Sequence, residues 1–99
     1  EPEHDATPPT ARVTPLPIIS PSTFTVYWSG EDDSGIDHYL IWVQVDGGEW
    51  RPWLETSATQ GQYTGEAGRR YAFAAWALDL GGNWSLNTVL DAQAETTVQ

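Results

Sequence analysis

The sequence predicts an all-β fold, a seven-stranded antiparallel β-sandwich built as one domain. Three observations carry that expectation. Seven short stretches alternate apolar and polar residues, and turn-forming residues separate them. None of the chain has a convincing helical period. The 99 residues include no Cys but six Trp, four Tyr and two Phe. Each large ring buries about 150–250 Å², so a few inward rings supply much of a core that a short chain otherwise lacks.

Residues 1–9 read as a Pro-rich interdomain linker, with Pro2, Pro8 and Pro9 among polar residues of no period. Residues 10–99 form the sandwich domain. Within it, 12–17 reads as an edge strand, because Pro15 and Pro17 have no N–H to give a central ladder. A turn follows over 18–21. Residues 22–28 form a clear strand, with Phe24, Val26 and Trp28 assigned to the core. The loop over 29–37 is rich in Gly, Ser and Asp, and Ile36 is expected to tuck under the sandwich. Strand 39–45 puts Tyr39, Ile41, Val43 and Val45 on one face and Leu40, Trp42 and Gln44 on the other. Asp46-Gly47-Gly48 signals a hairpin turn. A return strand over 49–53 follows, marked as an edge by Pro52, and then a polar strand over 57–63.

After a turn at 64–68 comes the longest strand, 71–79. Its odd residues, Tyr71, Phe73, Ala75 and Ala77, share one face; Ala72, Ala74, Trp76 and Leu78 share the other. Residues 86–90 read as a loose edge segment. Residues 92–98 read as the last strand, with Ala94, Thr96 and Val98 on one side.

Taken in order, these residues resemble the fibronectin type III superfamily, in particular the fibronectin-like modules of secreted bacterial and archaeal proteins. The resemblance rests on Phe24-Thr25-Val26-Tyr27-Trp28-Ser29-Gly30, on the stretch from Asp32 to Tyr39, on Gly47-Gly48-Glu49-Trp50, on Phe73 and Ala77-Leu78-Asp79, and on Gly81-Gly82-Asn83. It covers nearly the whole chain after Pro9. It implies an immunoglobulin-like sandwich with Trp28 and Tyr39 in the core. It also implies that Tyr71 is the corner tyrosine whose hydroxyl ties the preceding loop to the sandwich. The fold itself says nothing specific about function. One departure from the resembled pattern is informative. The outward positions of the third and sixth strands usually carry polar residues; here they are Leu40, Trp42, Ala74, Trp76 and Leu78.

The composition excludes several functions. Fourteen Asp and Glu stand against four Arg, with no Lys, for a formal net charge of −10. No basic patch is available to neutralise phosphates, so nucleic acid and anionic membrane surfaces are not expected partners. No apolar run approaches the roughly 18 residues of a membrane-spanning helix, so no membrane insertion is expected. Without Cys there is no thiol nucleophile. His4 and His38 are isolated, and no carboxylate pair is visibly set in a cleft. The chain is therefore expected not to be an enzyme. Met is absent, including at position 1, which leads us to expect a piece of a longer polypeptide whose signal peptide lies upstream.

Two constellations stand out as candidate sites. The first is an exposed binding face made by Leu40, Trp42, Trp76 and Leu78. It suits another domain or a carbohydrate; alternatively the rings pack sideways on their own sheet, against Trp50 or Trp53. The second is acidic: Asp32, Asp33, Asp37, Asp79 and Asn83 come from two loops expected at one end of the sandwich. Such oxygen ligands suit calcium; alternatively they cap their own turns. No other cofactor is expected. Asn83-Trp84-Ser85 matches a glycosylation acceptor pattern. The expected role is a non-catalytic accessory or spacer module of a larger secreted or cell-surface protein, packing against or positioning neighbouring domains. The alternatives are a carbohydrate- or protein-binding module on the tryptophan face and a calcium-stiffened adhesion module.

Overall fold

In the computed structural model, residues 9–31, 35–82, 84–85 and 92–99 are described. Among them the chain forms eight strands: β1 (Thr10–Val13), β2 (Ile19–Ser20), β3 (Thr23–Glu31), β4 (Ile36–Val45), β5 (Trp50–Thr56), β6 (Gln60–Thr64), β7 (Arg70–Asp79) and β8 (Ala94–Val98). They make two sheets, one of three strands in the order β1-β3-β6 and one of five in the order β2-β8-β7-β4-β5. The expected loose segment at 86–90 lies outside the described residues.

Two expectations need correction. Among the described residues the sandwich has eight strands rather than seven, and it is not wholly antiparallel, because β2 runs parallel to β8. The turn expected over 18–21 contains that extra strand. The chain leaves β1 at Val13 on one sheet, and Pro15 and Pro17 carry it across to the other. There Ile18 and Ser20 accept hydrogen bonds from the Thr97 and Gln99 amides, at 2.9 and 3.1 Å. A two-residue ladder is too short to leave a period in the sequence. Pro15 to Pro17 therefore connect two strands, and the edge strand β1 begins earlier, at Thr10, just after the fully buried Pro9.

The alternation of β3, β4 and β7 sets the core. Phe24, Val26 and Trp28 of one sheet meet Tyr39, Ile41, Val43, Tyr71, Phe73, Ala75 and Ala77 of the other, with Val13, Ala94 and Val98 closing the side. Ile36 and Val45 pack against this cluster. The Trp28 indole N–H donates to the Ala58 carbonyl at 2.8 Å, so its buried donor is satisfied.

Trp53 is inside as well, against the expectation that it might pack on the outer face. A bulge explains it: Ile41 pairs with Leu54, but Trp42 pairs with Pro52, so Trp53 is an extra residue. Its ring meets Trp28, Tyr63 and Phe73 at centroid distances of 6.0, 5.2 and 5.5 Å.

Local chemistry pins one end of the sandwich. In the β4–β5 turn, Asp46 and Gly47 both have positive φ, 51° and 74°, and the Gly48 amide donates to the Val45 carbonyl. This is the mirror-image turn whose twist suits a hairpin. The Asp46 carboxylate accepts from the Arg70 amide and the Arg69 guanidinium, each at 2.8 Å, and Arg69 also donates to Glu66 at 2.7 Å. The backbone amide of Arg70 chiefly, helped by Arg69, holds the Asp46 carboxyl below its ordinary pKa. Beside it the Tyr71 hydroxyl accepts from the Glu66 amide at 2.7 Å, the corner bond that the resemblance implies. Gly65 permits that corner, since a Cβ there would stand 2.5 Å from the Tyr71 ring.

Candidate functional site

The outer face of the five-stranded sheet carries the side chains that the core does not use. The register places them in rows. His38 of β4 opposes Leu78 of β7, Leu40 opposes Trp76, Trp42 opposes Ala74, and Gln44 opposes Ala72. On the other side of β4, Leu40 opposes Glu55, Trp42 opposes Pro52, and Gln44 opposes Trp50. Strand pairing thus brings together all four residues of the expected face, Leu40, Trp42, Trp76 and Leu78.

The face is less open than expected. Its four candidate residues are only half-buried or partly exposed, and the alanines between them are covered: Ala74 is 1% exposed. Trp42 and Trp76 are diagonal neighbours with ring centroids 5.0 Å apart and planes tilted by 58°. The rings therefore do pack sideways on their own sheet. Trp50, on the same face, is half-buried. Yet both indole nitrogens, Trp42 Nε1 and Trp76 Nε1, are buried without a hydrogen-bond acceptor among the described residues. An orphaned buried donor costs about 1–3 kcal/mol, and an aromatic pair contributes about 0.5–1.5 kcal/mol beyond its buried area. Two such donors cost more than the ring pairing supplies.

Trp84 completes the row. It forms an isolated antiparallel bridge with Leu78, on the side of β7 away from β4. Its ring meets Trp76 and His38 at 6.0 Å each, and 39% of the residue is exposed. The sequence placed Trp84 only loosely, near a turn at the sandwich end. Its one signal was its position, six residues past Leu78, where a hairpin returning along β7 would set it on the same face.

His38 connects this aromatic row to charge. Its Nε2 is 2.7 Å from a Glu55 oxygen and its Nδ1 is 3.5 Å from an Asp37 oxygen. The ring stands nearly perpendicular to Trp84. The end of the face near Trp84 is thus a tryptophan ring, an imidazole and two carboxylates, both more than half exposed.

Of the expected calcium ligands, Asp32, Asp33 and Asn83 lie outside the described residues. The other two have separate tasks. Asp37 faces His38, whereas Asp79 is 1% exposed and accepts from the Gly81 amide at 2.9 Å, capping its own turn. Among the described residues, no three His, Cys, Asp or Glu side chains gather as a metal site.

Beside Trp84, two side chains repair β7 where β8 does not pair with it. Ser85 Oγ accepts from the Ala77 amide, and Gln93 Oε1 accepts from the Ala75 amide, each at 3.2 Å. The same Gln93 oxygen takes the Val13 amide at 2.8 Å, tying β1 of the opposite sheet to this gap. Sequence reasoning assigned neither residue a role, because the need for them arises only from where β8 begins.

This geometry defines a class: a two-sheet β-sandwich broadly consistent with the immunoglobulin and fibronectin type III superfamily. No protein-family model, no curated protein and no solved structure matches the chain.

Proposed function

We propose that the chain is a non-catalytic accessory module of the fibronectin type III kind, part of a larger secreted or cell-surface protein. Its role is to position neighbouring domains, and the outer face of β4 and β7 is where it packs against one of them. One observation carries this reading: the tryptophan row holds two buried indole donors with no acceptor among the described residues. Buried donors are nearly always paired in proteins, and a docking partner that turns these rings on contact can bring the missing acceptors. Aromatic patches with a polar rim are also what contact surfaces enrich.

The test compares the 99-residue chain alone with the same chain inside a longer polypeptide that carries it. Indole N–H resonances of Trp42 and Trp76 are followed by NMR, with hydrogen exchange along β4 and β7. The expected result is a shift of both indole resonances and slower exchange on those strands in the longer polypeptide. Identical spectra in both settings would overturn the reading. So would retention of the isolated chain on an insoluble polysaccharide that Trp42→Ala or Trp76→Ala abolishes, an outcome that favours a carbohydrate-binding module.

A further inference from the structure

The charge around the tryptophan row narrows what can dock there. The chain carries fourteen acidic residues against four Arg and has no Lys. One of those four, Arg69, is already engaged by Asp46 and Glu66 at the far turn. At the Trp84 end, the acidic groups that meet His38 are Asp37 and Glu55. Each turns one oxygen toward the imidazole, and their side chains are 52% and 60% exposed. Trp84 offers a partly open ring against the same imidazole. An exposed indole that shares its imidazole neighbour with two half-free carboxylates is poorly matched to an anionic partner and well matched to a cation.

We propose that this end of the face takes an arginine side chain of the docking partner. The guanidinium lies on the exposed part of the Trp84 ring and donates to the free oxygens of Glu55 or Asp37. Arginine suits the site better than lysine for three reasons. It is planar, so it stacks on an indole. It is weakly hydrated, so it loses less on leaving water. Its fork of donors can serve a carboxylate and a neighbouring acceptor together. His38 is a positioning residue here, holding one carboxylate at each ring nitrogen while its ring meets Trp84. This inference rests on the reading of the outer face as a contact surface and adds the chemistry of what meets it.

The probe is a short peptide, acetyl-Gly-Arg-Gly-Arg-Gly-amide, titrated into the 99-residue chain while the tryptophan indole resonances are recorded. The expected result is a saturable shift of the Trp84 indole, with Trp76 following. Apparent affinity should fall about threefold or more as NaCl rises from about 0.05 to about 0.5 M, because the Debye length shortens several-fold. The citrulline version of the peptide, neutral but of the same shape, should leave Trp84 unmoved. The double variant Asp37→Asn, Glu55→Gln should lose the shift while its remaining indole spectrum stays dispersed, which separates lost binding from lost fold. No Trp84 shift, an equal response to citrulline, or a shift only with a neutral oligosaccharide would overturn the proposal. The wider docking reading fails independently, in the comparison of the chain alone with the longer polypeptide. If that comparison shows docking while the double variant docks unchanged, only the arginine assignment falls.

Discussion

One tryptophan pair lies between the two sheets and another on the outer face of the five-stranded sheet, and they are treated differently. Inside, Trp28 and Trp53 meet edge to face at 6.0 Å, and the Trp28 donor reaches the Ala58 carbonyl. Outside, Trp42 and Trp76 come closer, at 5.0 Å, but neither donor has an acceptor among the described residues. Within the inner pair, Trp28 is solved as a core residue must be solved, with both its apolar area and its polar atom satisfied. The outer pair satisfies the apolar requirement and leaves the polar one open. The difference teaches that burial alone does not separate a structural ring from a functional one. What separates them is whether the polar atom on the ring is paired.

Substitutions test that contrast. Trp28→Ala should have the largest effect, a loss of about 3–5 kcal/mol in urea unfolding, since it empties the space between the sheets. A loss below about 1 kcal/mol would mean that the inner pair is not the anchor of the core. Tyr71→Phe should cost about 1 kcal/mol with an unchanged denaturant slope, because it strips the Glu66 amide of its acceptor. That variant makes an unpaired donor on purpose and calibrates the open donors on the outer face.

Trp42→Phe and Trp76→Phe should each change stability by less than about 1 kcal/mol, because removal of an orphaned N–H offsets the lost ring area. If either costs as much as Trp28→Phe, its indole nitrogen has a partner in solution and the contrast disappears.

A smaller effect is expected from acid. The folded Asp46 carboxyl has a lowered pKa, so it binds its proton less readily than in the unfolded chain. Its contribution is fully present above the ordinary carboxylate range and fades as pH falls through the folded value. Asp46→Asn should flatten that part of the curve of melting temperature against pH, leaving both tryptophan pairs unaffected. The smallest effect is expected from calcium. Millimolar Ca²⁺ should move the melting temperature no further than Na⁺ at equal ionic strength, since Asp37 and Asp79 already serve His38 and the Gly81 amide. A clear rise with Ca²⁺ alone would make the acidic loops a calcium site.

Much of the fold was legible because it is written at period two. Phe24, Val26 and Trp28 alternate with polar residues, and so they had one possible inward face. The hairpin at Asp46-Gly47 was legible because its backbone conformation demands those residue types. The outer face was legible as a pattern of residues, Leu40 and Trp42 against Trp76 and Leu78, but not as an environment. Alternation reports which way a side chain points and not what lies over it. For the same reason β2 and the bulge at Trp53 were missed. A two-residue parallel pair has no period, and an extra residue in β5 reverses the apparent facing of everything after it.

The sequence by itself determined the sandwich, the core tryptophan of β3 and the two apolar faces of β7, and its family resemblance implied the corner tyrosine. The first three follow from local chemistry, in which alternation, glycine and ring size act over a few residues. Only the tertiary structure decided that Trp84 joins Trp76 and His38, that Gln93 bridges the two sheets, and that two indole donors are left without acceptors. Those facts depend on strand register and on chain segments far apart in sequence. Whether a polar atom is paired is settled by what folding brings next to it.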